Sequence, residues 1–216
     1  MKYDAIFFDL DGTVIDSLQD IADAVNHAMR HFGLKEYETR SLRAHMGWGV
    51  ATLMKRILPD LPDAQREAVL AYYRPFYAAH AAEKSVPFDG ILPMLARLKA
   101  DGLTLAILSN KPDDAVQPLA QKFFTGLMDL SAGEMPGVPR KPAPDMLQAA
   151  AKRLGVKLRR CLYVGDSEVD IDTARNAGID CVCVSWGFRD RDELVRAGAT
   201  HIVDTPDQLA AFIEGA

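Results

Sequence analysis

The chain has 216 residues, of which 49% are hydrophobic and 25% charged, and a formal net charge of −5 at pH 7. Such a chain can form one large domain or a domain with an insertion, and its acidic balance argues against nucleic-acid binding. It contains no membrane-length apolar run, no signal-peptide pattern and no zinc-type cysteine pair, so we expect a cytoplasmic protein.

The first predicted element is a buried strand over Ala5–Phe8, followed at once by Asp9-Leu10-Asp11-Gly12-Thr13. Because alternate side chains of an extended segment point to opposite faces, Asp9 and Asp11 share one face. Gly12 permits a turn that a side chain would obstruct. Two carboxylates held together at a strand end can bind a hard cation, and they can divide the roles of nucleophile and general acid/base.

A long stretch without any strand pattern follows this strand. Apolar residues recur at helical spacing after Ser17, and Ser17 with Asp20 forms a candidate N-terminal cap. We therefore expect a small helical bundle as a domain at 16–84, inserted into a core formed by 1–15 and 85–216, with a hinge at the two crossings. The predicted helices of this region are 18–32, 39–46, 50–57 and 63–83.

Strand and helix patterns alternate through the rest of the chain, which is typical of a parallel sheet covered by helices on both faces. The fold class predicted from this alternation is α/β. The predicted strands are 103–108, 127–131, 161–164, 181–184 and 201–203, and the predicted helices are 91–100, 113–123, 145–154, 168–177, 190–197 and 207–213.

Polar and charged residues stand at the carboxyl ends of the predicted strands, where ligands of open parallel sheets bind. Ser109 and Asn110 follow the second core strand. Asp166 follows the fourth, with Asp170 a few positions later, and Lys141 lies shortly before a predicted helix. Together with the paired aspartates of the first strand, these groups fit a site for a phosphate monoester.

The chemistry of these residues suits phosphoryl transfer. A carboxylate can attack phosphorus and form an aspartyl phosphate, and a second carboxyl can protonate the leaving oxygen and later activate water. Mg²⁺ on oxygen ligands would cancel the repulsion between carboxylate and phosphate, with Asp166 as an added ligand. Ser109 and Asn110 supply donors for phosphate oxygens, and Lys141 supplies a positive charge. We expect Lys141→Ala to weaken phosphate handling far more than folding.

In four short motifs the chain resembles the haloacid dehalogenase superfamily of aspartate-nucleophile phosphatases. The matching segments are Asp9–Thr13, Ser109-Asn110, Lys141, and Gly165-Asp166 with Asp170. The resemblance implies a Rossmann-like parallel-sheet core with a small inserted α-helical cap, bound Mg²⁺ and an aspartyl-phosphate intermediate. The implied activity is that of a Mg²⁺-dependent phosphomonoester hydrolase.

The resemblance also implies a role for each matching residue. Asp9 would be the nucleophile and a metal ligand, and Asp11 the general acid/base that also binds the metal through its backbone carbonyl. Asp166 would be a further metal ligand, and Asp170 would support the metal shell or hold Lys141. The implied phosphate-binding residues are Gly12, Ser109, Asn110 and Lys141.

Within the superfamily the chain is most similar to phosphoglycolate phosphatase-like enzymes, in segments that include Gly47-Trp48-Gly49. The glycine-flanked Trp48 indicates either a loop that reaches over the active site and walls off the leaving group, or a side chain that packs inside the helical bundle. Arg43, Trp48 and Arg56 are therefore candidate specificity residues of the cap. One of the nearby basic residues, Arg43, His45 or Arg56, could read the carboxylate of phosphoglycolate.

Other functions stay open from the sequence. Pyrophosphate, a nucleotide or a sugar phosphate would also suit the core chemistry, as would a β-phosphoglucomutase-like phosphotransfer. A regulatory protein that binds a phosphorylated metabolite without turnover is the non-enzymatic alternative, although it would have no need of Asp9 beside Asp11. We expect a small phosphorylated metabolite as the partner, neither nucleic acid nor membrane, and a monomer or homodimer.

Overall fold

A computed structural model describes residues 2–215 and contains a β-sheet at its centre. Within these residues the sheet has six strands, and all neighbouring strands run parallel. This confirms the α/β prediction. Numbered along the chain and given in their order across the sheet, the strands are β5 (Leu130–Glu134), β4 (Thr104–Pro112), β1 (Ala5–Phe8), β6 (Cys161–Gly165), β7 (Asp180–Val184) and β8 (Ile202–Val203).

Two groups of helices cover the sheet. Strand β1 contacts both groups, because Ile6 and Phe8 point to one face and Ala5 and Phe7 to the other. Strand β1 is therefore fully buried, and it ends in the middle of the sheet. Asp9 directly follows this end. The helices are α4 (Ile91–Ala100), α5 (Asp113–Phe123) and α9 (Pro206–Gly215) on the first face, and α6 (Asp145–Leu154) and α7 (Glu168–Ala177), with α8 (Arg191–Arg196) beside α7, on the second.

A helical segment lies between two short strands, β2 (Ile15–Asp16) and β3 (Val86–Pro87), which pair antiparallel. Residues such as Val25, Leu53 and Tyr73 form a second apolar cluster there, which Ala115 and Phe188 of the sheet-containing part join. The chain thus leaves and re-enters the sheet region through one two-stranded ribbon, and the role of 16–84 as a cap domain stays a prediction. The segment consists of α1 (Leu18–His31), a 3-10 helix (Thr39–His45), α2 (Val50–Ile57) and α3 (Asp63–His80).

The predicted cap at the start of α1 is wrong. Ser17 donates its hydroxyl to Asp11 Oδ1 at 2.5 Å and does not cap the helix. Buried Asp20 accepts hydrogen bonds from the backbone N–H groups of Lys84 and Ser85 and from the Ser85 hydroxyl, at 2.7–3.0 Å. Asp20 therefore ties the start of the helical segment to its end, next to the β2–β3 ribbon.

Some predicted element bounds also differ from the structure. The strand predicted at 127–131 begins at Leu130, because the N–H groups of Leu127 and Met128 donate to Phe124 O and extend the turn after α5. Helix α3 ends at His80 rather than at residue 83. Among residues 2–215, none of the helices combines the length and the apolar character needed to cross a bilayer.

Candidate active site

Three acidic side chains meet beyond the carboxyl ends of β1 and β6. Ligand oxygens of Asp9, Asp166 and Asp170 all lie within 4.8 Å of one another, and all three residues are buried. Asp9 follows β1 and Asp166 follows β6, its neighbour in the sheet, so the parallel pairing sets the two carboxyls side by side. The structure thus brings together three of the acids that were predicted from sequence to share a site.

Hydrogen bonds orient two of these carboxyls. Asp170 lies in the first turn of α7, where its Oδ2 accepts from the Ser167 backbone N–H at 3.1 Å and from the Ser167 hydroxyl at 2.6 Å. The bond from the Ser167 N–H to the Asp170 side chain is the carboxylate half of a capping box at the start of α7. Asp166 precedes the helix, and it accepts from the Phe188 N–H at 2.6 Å and the Thr13 hydroxyl at 3.2 Å. The backbone of α7 and of the loop at Phe188 therefore fixes both groups.

Gly12 leaves the room that Asp166 needs. Its φ is +85°, and a Cβ atom built on it would lie 2.4 Å from Asp166 Oδ2. Any other residue would strain the backbone and displace a carboxyl of the cluster. The phosphate contact expected of Gly12 stays a prediction, whereas this steric requirement follows from the geometry.

Lys141 brings a positive charge to the cluster. Its side chain is only 1% exposed, and its ammonium lies 2.9 Å from Asp9 and 2.8 Å from Asp170. It also donates to the Tyr163 hydroxyl at 2.9 Å. Burial by itself lowers the pKa of Lys141, but the charges of Asp170 and Asp9 outweigh it and raise the pKa well above its usual value. The ammonium therefore stays protonated next to the carboxyls.

The carboxyl cluster carries more negative charge than Lys141 neutralises. Burial raises the pKa of Asp9 to about 7, against the opposing charge of Lys141 and with a further rise from Asp170. Burial, followed by the charges of Asp170 and Asp9, raises the pKa of Asp166 well above its usual value. The cluster therefore favours binding a proton or a cation. A set of buried carboxylate oxygens fits a hard divalent ion such as Mg²⁺.

The Asp11 side chain has partners of its own outside this cluster. Its carboxylate accepts from Lys111 Nζ at 2.7 and 3.0 Å and from the Ser17 hydroxyl. Asp9 and Asp11 nevertheless line the same cavity. Asp9 and Asp11 thus have different hydrogen-bond partners at one cavity. Two such carboxyls can take different roles, one as nucleophile and the other as general acid/base.

A cavity of about 590 Å³ separates the strand ends from the helical segment. The strand ends contribute Asp9, Asp11, Ser109 and Asn110 to its lining. An ester whose phosphate lay next to Asp9 would therefore place its leaving group between the sheet and the helices. From the helical segment the lining includes His45, Met46, Gly47, Leu53, Tyr73 and Tyr77.

Asn110 joins the strand ends to the loop around Trp48. Its Nδ2 donates to Gly47 O at 3.0 Å and to Lys141 O at 2.9 Å. The amide donors of Asn110 that were predicted for a phosphate are thus engaged with backbone oxygens, while its buried Oδ1 has no hydrogen-bond partner among the described residues. Ser109 lies beside it, and its Oγ accepts from the Lys111 N–H at 3.2 Å.

A buried arginine holds the loop around Trp48 against the sheet-containing part. Arg189 donates to the two carboxylate oxygens of Glu168 at 2.9 and 3.0 Å. It also donates to the carbonyl oxygens of Arg43 and Met46 at 2.8 and 3.1 Å. Trp48 Nε1 donates to the same Glu168 at 2.9 Å. Arg189 and Glu168 therefore set where the loop lies relative to the carboxyl cluster.

Comparison with known proteins connects this geometry to a family. The model of the haloacid dehalogenase-like hydrolases matches residues 3–178. The chain is a haloacid dehalogenase-like hydrolase. A phosphoglycolate phosphatase of Xanthomonas campestris pv. campestris (strain 8004) is 35% identical to it over 207 residues, which cover 95% of this chain and 94% of the relative. That of Aquifex aeolicus (strain VF5) is 32% identical over 184 residues, 85% of each chain.

Solved structures show the same fold for this haloacid dehalogenase-like hydrolase. A crystal structure from Lactobacillus delbrueckii subsp. bulgaricus, of a protein provisionally named phosphoglycolate phosphatase, is 38% identical with a TM-score of 0.96 and covers 99% of both chains. One from Haemophilus somnus 129PT, a predicted phosphoglycolate phosphatase, is 25% identical with a TM-score of 0.90 over 98% of both. The Rossmann-like core expected from the resemblance is thereby confirmed.

The three predicted specificity residues do not line the cavity of this hydrolase. Arg43 donates to Gly187 O, and Trp48 donates to Glu168. Exposed Arg56 lies over the Trp48 ring, 5.1 Å from its centroid. These contacts hold the loop in place, and the roles of Arg43, Trp48 and Arg56 in substrate specificity stay predictions.

Three residues at the hydrolase site were given no role from the sequence. Lys111 directly follows Ser109 and Asn110, and its position beside them was a usable signal. Arg189 follows β7 at the same carboxyl edge of the sheet, where the rule for parallel sheets would have found it. Tyr77 lies inside α3, and no local pattern indicates that it faces the cavity.

Replacing Arg189 with Met is expected to lower the free energy of unfolding of the hydrolase by roughly 2–3 kcal/mol. The change leaves Glu168 without its charged donor and removes the hydrogen bonds that Arg189 donates to the carbonyl oxygens of Arg43 and Met46. Urea unfolding measures the loss. Arg191→Met is the matched control, because Arg191 makes an exposed ion pair with Asp204, so less than about 0.5 kcal/mol is expected. Equal losses in the two variants would contradict the role assigned to Arg189.

Proposed function

We propose that this chain is a Mg²⁺-dependent phosphomonoester hydrolase that acts through an aspartyl-phosphate intermediate and takes phosphoglycolate as its substrate. The observation that carries the proposal is the meeting of Asp9, Asp166, Asp170 and Lys141 beside a cavity that can hold the rest of the ester. The relatives named phosphoglycolate phosphatase support the choice of substrate.

In the proposed reaction a carboxylate oxygen of Asp9 attacks phosphorus, and the bond between phosphorus and the leaving oxygen breaks. Lys141, 2.9 Å from Asp9, offsets negative charge where the phosphate meets the carboxylate. Asp11 gives its proton to the leaving oxygen, so glycolate departs and Asp9 carries the phosphoryl group. Asp11 then takes a proton from a water molecule, which attacks phosphorus, releases inorganic phosphate and restores Asp9.

The metal would be held by the side chains of Asp9 and Asp166 and by the backbone carbonyl of Asp11. Asp170 would support this shell and hold Lys141. When bound, the ion supplies positive charge that reduces the repulsion between the carboxylates and the phosphate. The residues proposed to contact the phosphate are Gly12, Ser109, Asn110 and Lys141.

The helical segment at 16–84 is proposed to act as a cap that closes over the bound ester. The β2–β3 ribbon offers a hinge, because the chain crosses twice at one place. Buried Asp20 bonds the two crossings together, so they would move as one unit. Closure of this kind keeps water away from the phosphoryl group until the leaving group has departed.

Release of inorganic phosphate from p-nitrophenyl phosphate tests the proposed reaction class. We expect turnover with Mg²⁺, loss of turnover with excess EDTA, and recovery when Mg²⁺ is added back. A protein that only binds phosphorylated metabolites would release no phosphate under any of these conditions. Ranking phosphoglycolate against pyrophosphate, nucleotides and sugar phosphates by kcat/KM tests the substrate, and a higher value for another ester would replace phosphoglycolate.

A further inference from the structure

Lys111 places a buried positive charge at the wall of the cavity. The residue is 6% exposed, and its ammonium lies 2.7 Å from Asp11. The same ammonium lies 4.7 Å above the ring of Tyr77, on α3. Lys111 therefore sits between the proposed acid/base and the helical side of the cavity, where the leaving group of a bound ester would lie.

The other basic residues of the cavity lining do not offer the same charge. Burial, with the charges of Arg56 and Arg189, lowers the pKa of His45 below its usual value, so this side chain is neutral at neutral pH. Arg74 lies at the exposed surface of α3. Within the described cavity lining, Lys111 is thus the basic side chain that is both buried and next to Asp11.

The Tyr77 hydroxyl completes a subsite with Lys111. It is buried and has no hydrogen-bond partner in the described part of the chain. The ring is held in place by stacking on Tyr73, with 5.3 Å between the ring centroids. A buried hydroxyl without a partner costs free energy, so a ligand acceptor at this place would gain a hydrogen bond that the free protein lacks.

We propose that Lys111 and Tyr77 recognise the carboxylate of a phosphate ester whose leaving oxygen is α to that carboxylate. This rests on the proposed function, in which Asp11 protonates the leaving oxygen. In such an ester a single carbon separates the carboxylate from the leaving oxygen. When the leaving oxygen lies next to Asp11, the carboxylate therefore lies close to Lys111, which is hydrogen-bonded to Asp11. Charge pairing in a buried cavity then makes the protein favour esters with an acidic leaving group over esters with a neutral one.

The remaining lining disfavours a second, more distant anion. Asp113, Asp114 and Glu134 line the cavity on the side of β5 and α5. A bisphosphate or a nucleoside polyphosphate would bring further negative charge toward these acids, whereas a two-carbon acid would not extend that far. The substrate class indicated is therefore a small α-carboxylate monoester.

The test compares phosphoglycolate with 2-hydroxyethyl phosphate, in which a neutral hydroxymethyl group replaces the carboxylate. We expect Lys111→Met to lower the ratio of the two kcat/KM values, acid over neutral, by about 100-fold. Tyr77→Phe keeps the ring beneath Lys111 and is expected to lower the same ratio by about 5-fold. Lys55→Met, at an exposed position on α2, is the matched control and should leave the ratio unchanged.

Product inhibition gives a second measurement. Glycolate is expected to inhibit hydrolysis of 2-hydroxyethyl phosphate by the wild-type protein and to inhibit Lys111→Met at least about 10-fold less strongly. An equal loss of kcat/KM for both esters, or an unchanged ratio, would overturn the subsite and make Lys111 a positioning residue for Asp11. If the wild-type protein hydrolysed neither ester, the proposed function would fail and this inference with it. Urea unfolding of both variants shows that the comparison uses folded protein.

Discussion

Replacing Asp9 with Asn is expected to lower kcat for phosphate release by at least about 10³-fold, because an amide oxygen cannot replace the carboxylate as nucleophile. The variant should fold. Burial disfavours the charged form of Asp9 and raises its pKa to about 7, so removing this charge reduces the repulsion within the carboxyl cluster. Lys141 keeps Asp170 as its partner at 2.8 Å. Turnover of p-nitrophenyl phosphate and urea unfolding measure the two effects.

The matched control for this substitution is Asp60→Asn, at an exposed position before α3, which should leave turnover and stability unchanged. Loss of turnover alone would also follow from loss of a metal ligand. Acid quenching of the wild-type protein during turnover, followed by peptide mass spectrometry, should therefore find the phosphoryl group on the peptide that contains Asp9. Full turnover by the Asn variant, or a phosphoryl group on another residue, would show that Asp9 is not the nucleophile.

Replacing Lys141 with Met is expected to abolish phosphate release and also to lower the free energy of unfolding by about 3–5 kcal/mol. From the sequence, Lys141→Ala should affect phosphate handling far more than folding. The structure changes that expectation, because the ammonium is buried between Asp9 and Asp170. Without it, three buried carboxyls repel one another with no positive charge among them.

The loss caused by Lys141→Met should grow with pH. An acid whose pKa is higher in the folded than in the unfolded protein makes the folded state bind more protons between the two values, so stability falls as pH rises through that window. For Asp9 this window runs from its usual pKa up to about 7 in the wild-type protein, where the charge of Lys141 holds the pKa down. Without Lys141 the pKa rises further and the window widens, so the variant loses more stability than the wild-type protein as the pH rises. Urea unfolding at pH 6 and pH 8, with EDTA, measures the difference.

Addition of Mg²⁺ should restore part of the stability of the Lys141 variant, because a divalent ion supplies the missing positive charge. Lys152→Met, in the last turn of α6, is the matched control and should lose less than about 0.5 kcal/mol at both pH values. A Lys141 variant as stable as the wild-type protein at pH 8 would show that the buried pairs do not hold the cluster together.

The sequence alone determined the α/β class and most of the residues of the candidate site. Strand β1 could be predicted because four consecutive apolar residues with turn signals after them suit a buried strand. The polar residues at the strand ends could be collected because parallel strands direct their carboxyl ends to one edge. Asp9, Asp166 and Asp170 are close in space for this reason, although they are distant in the chain.

Only the tertiary structure decided which partners each side chain has. Ser17 and Asp20 fit a local capping pattern, yet both bond to groups that local periodicity does not bring near. Glu168 and Trp48 are 120 positions apart, and their contact depends on how the helical segment lies on the sheet. Lys111 and Tyr77 likewise meet only across the cavity. Local patterns predict elements because they reflect backbone geometry, whereas such contacts depend on packing between elements, which no local pattern encodes.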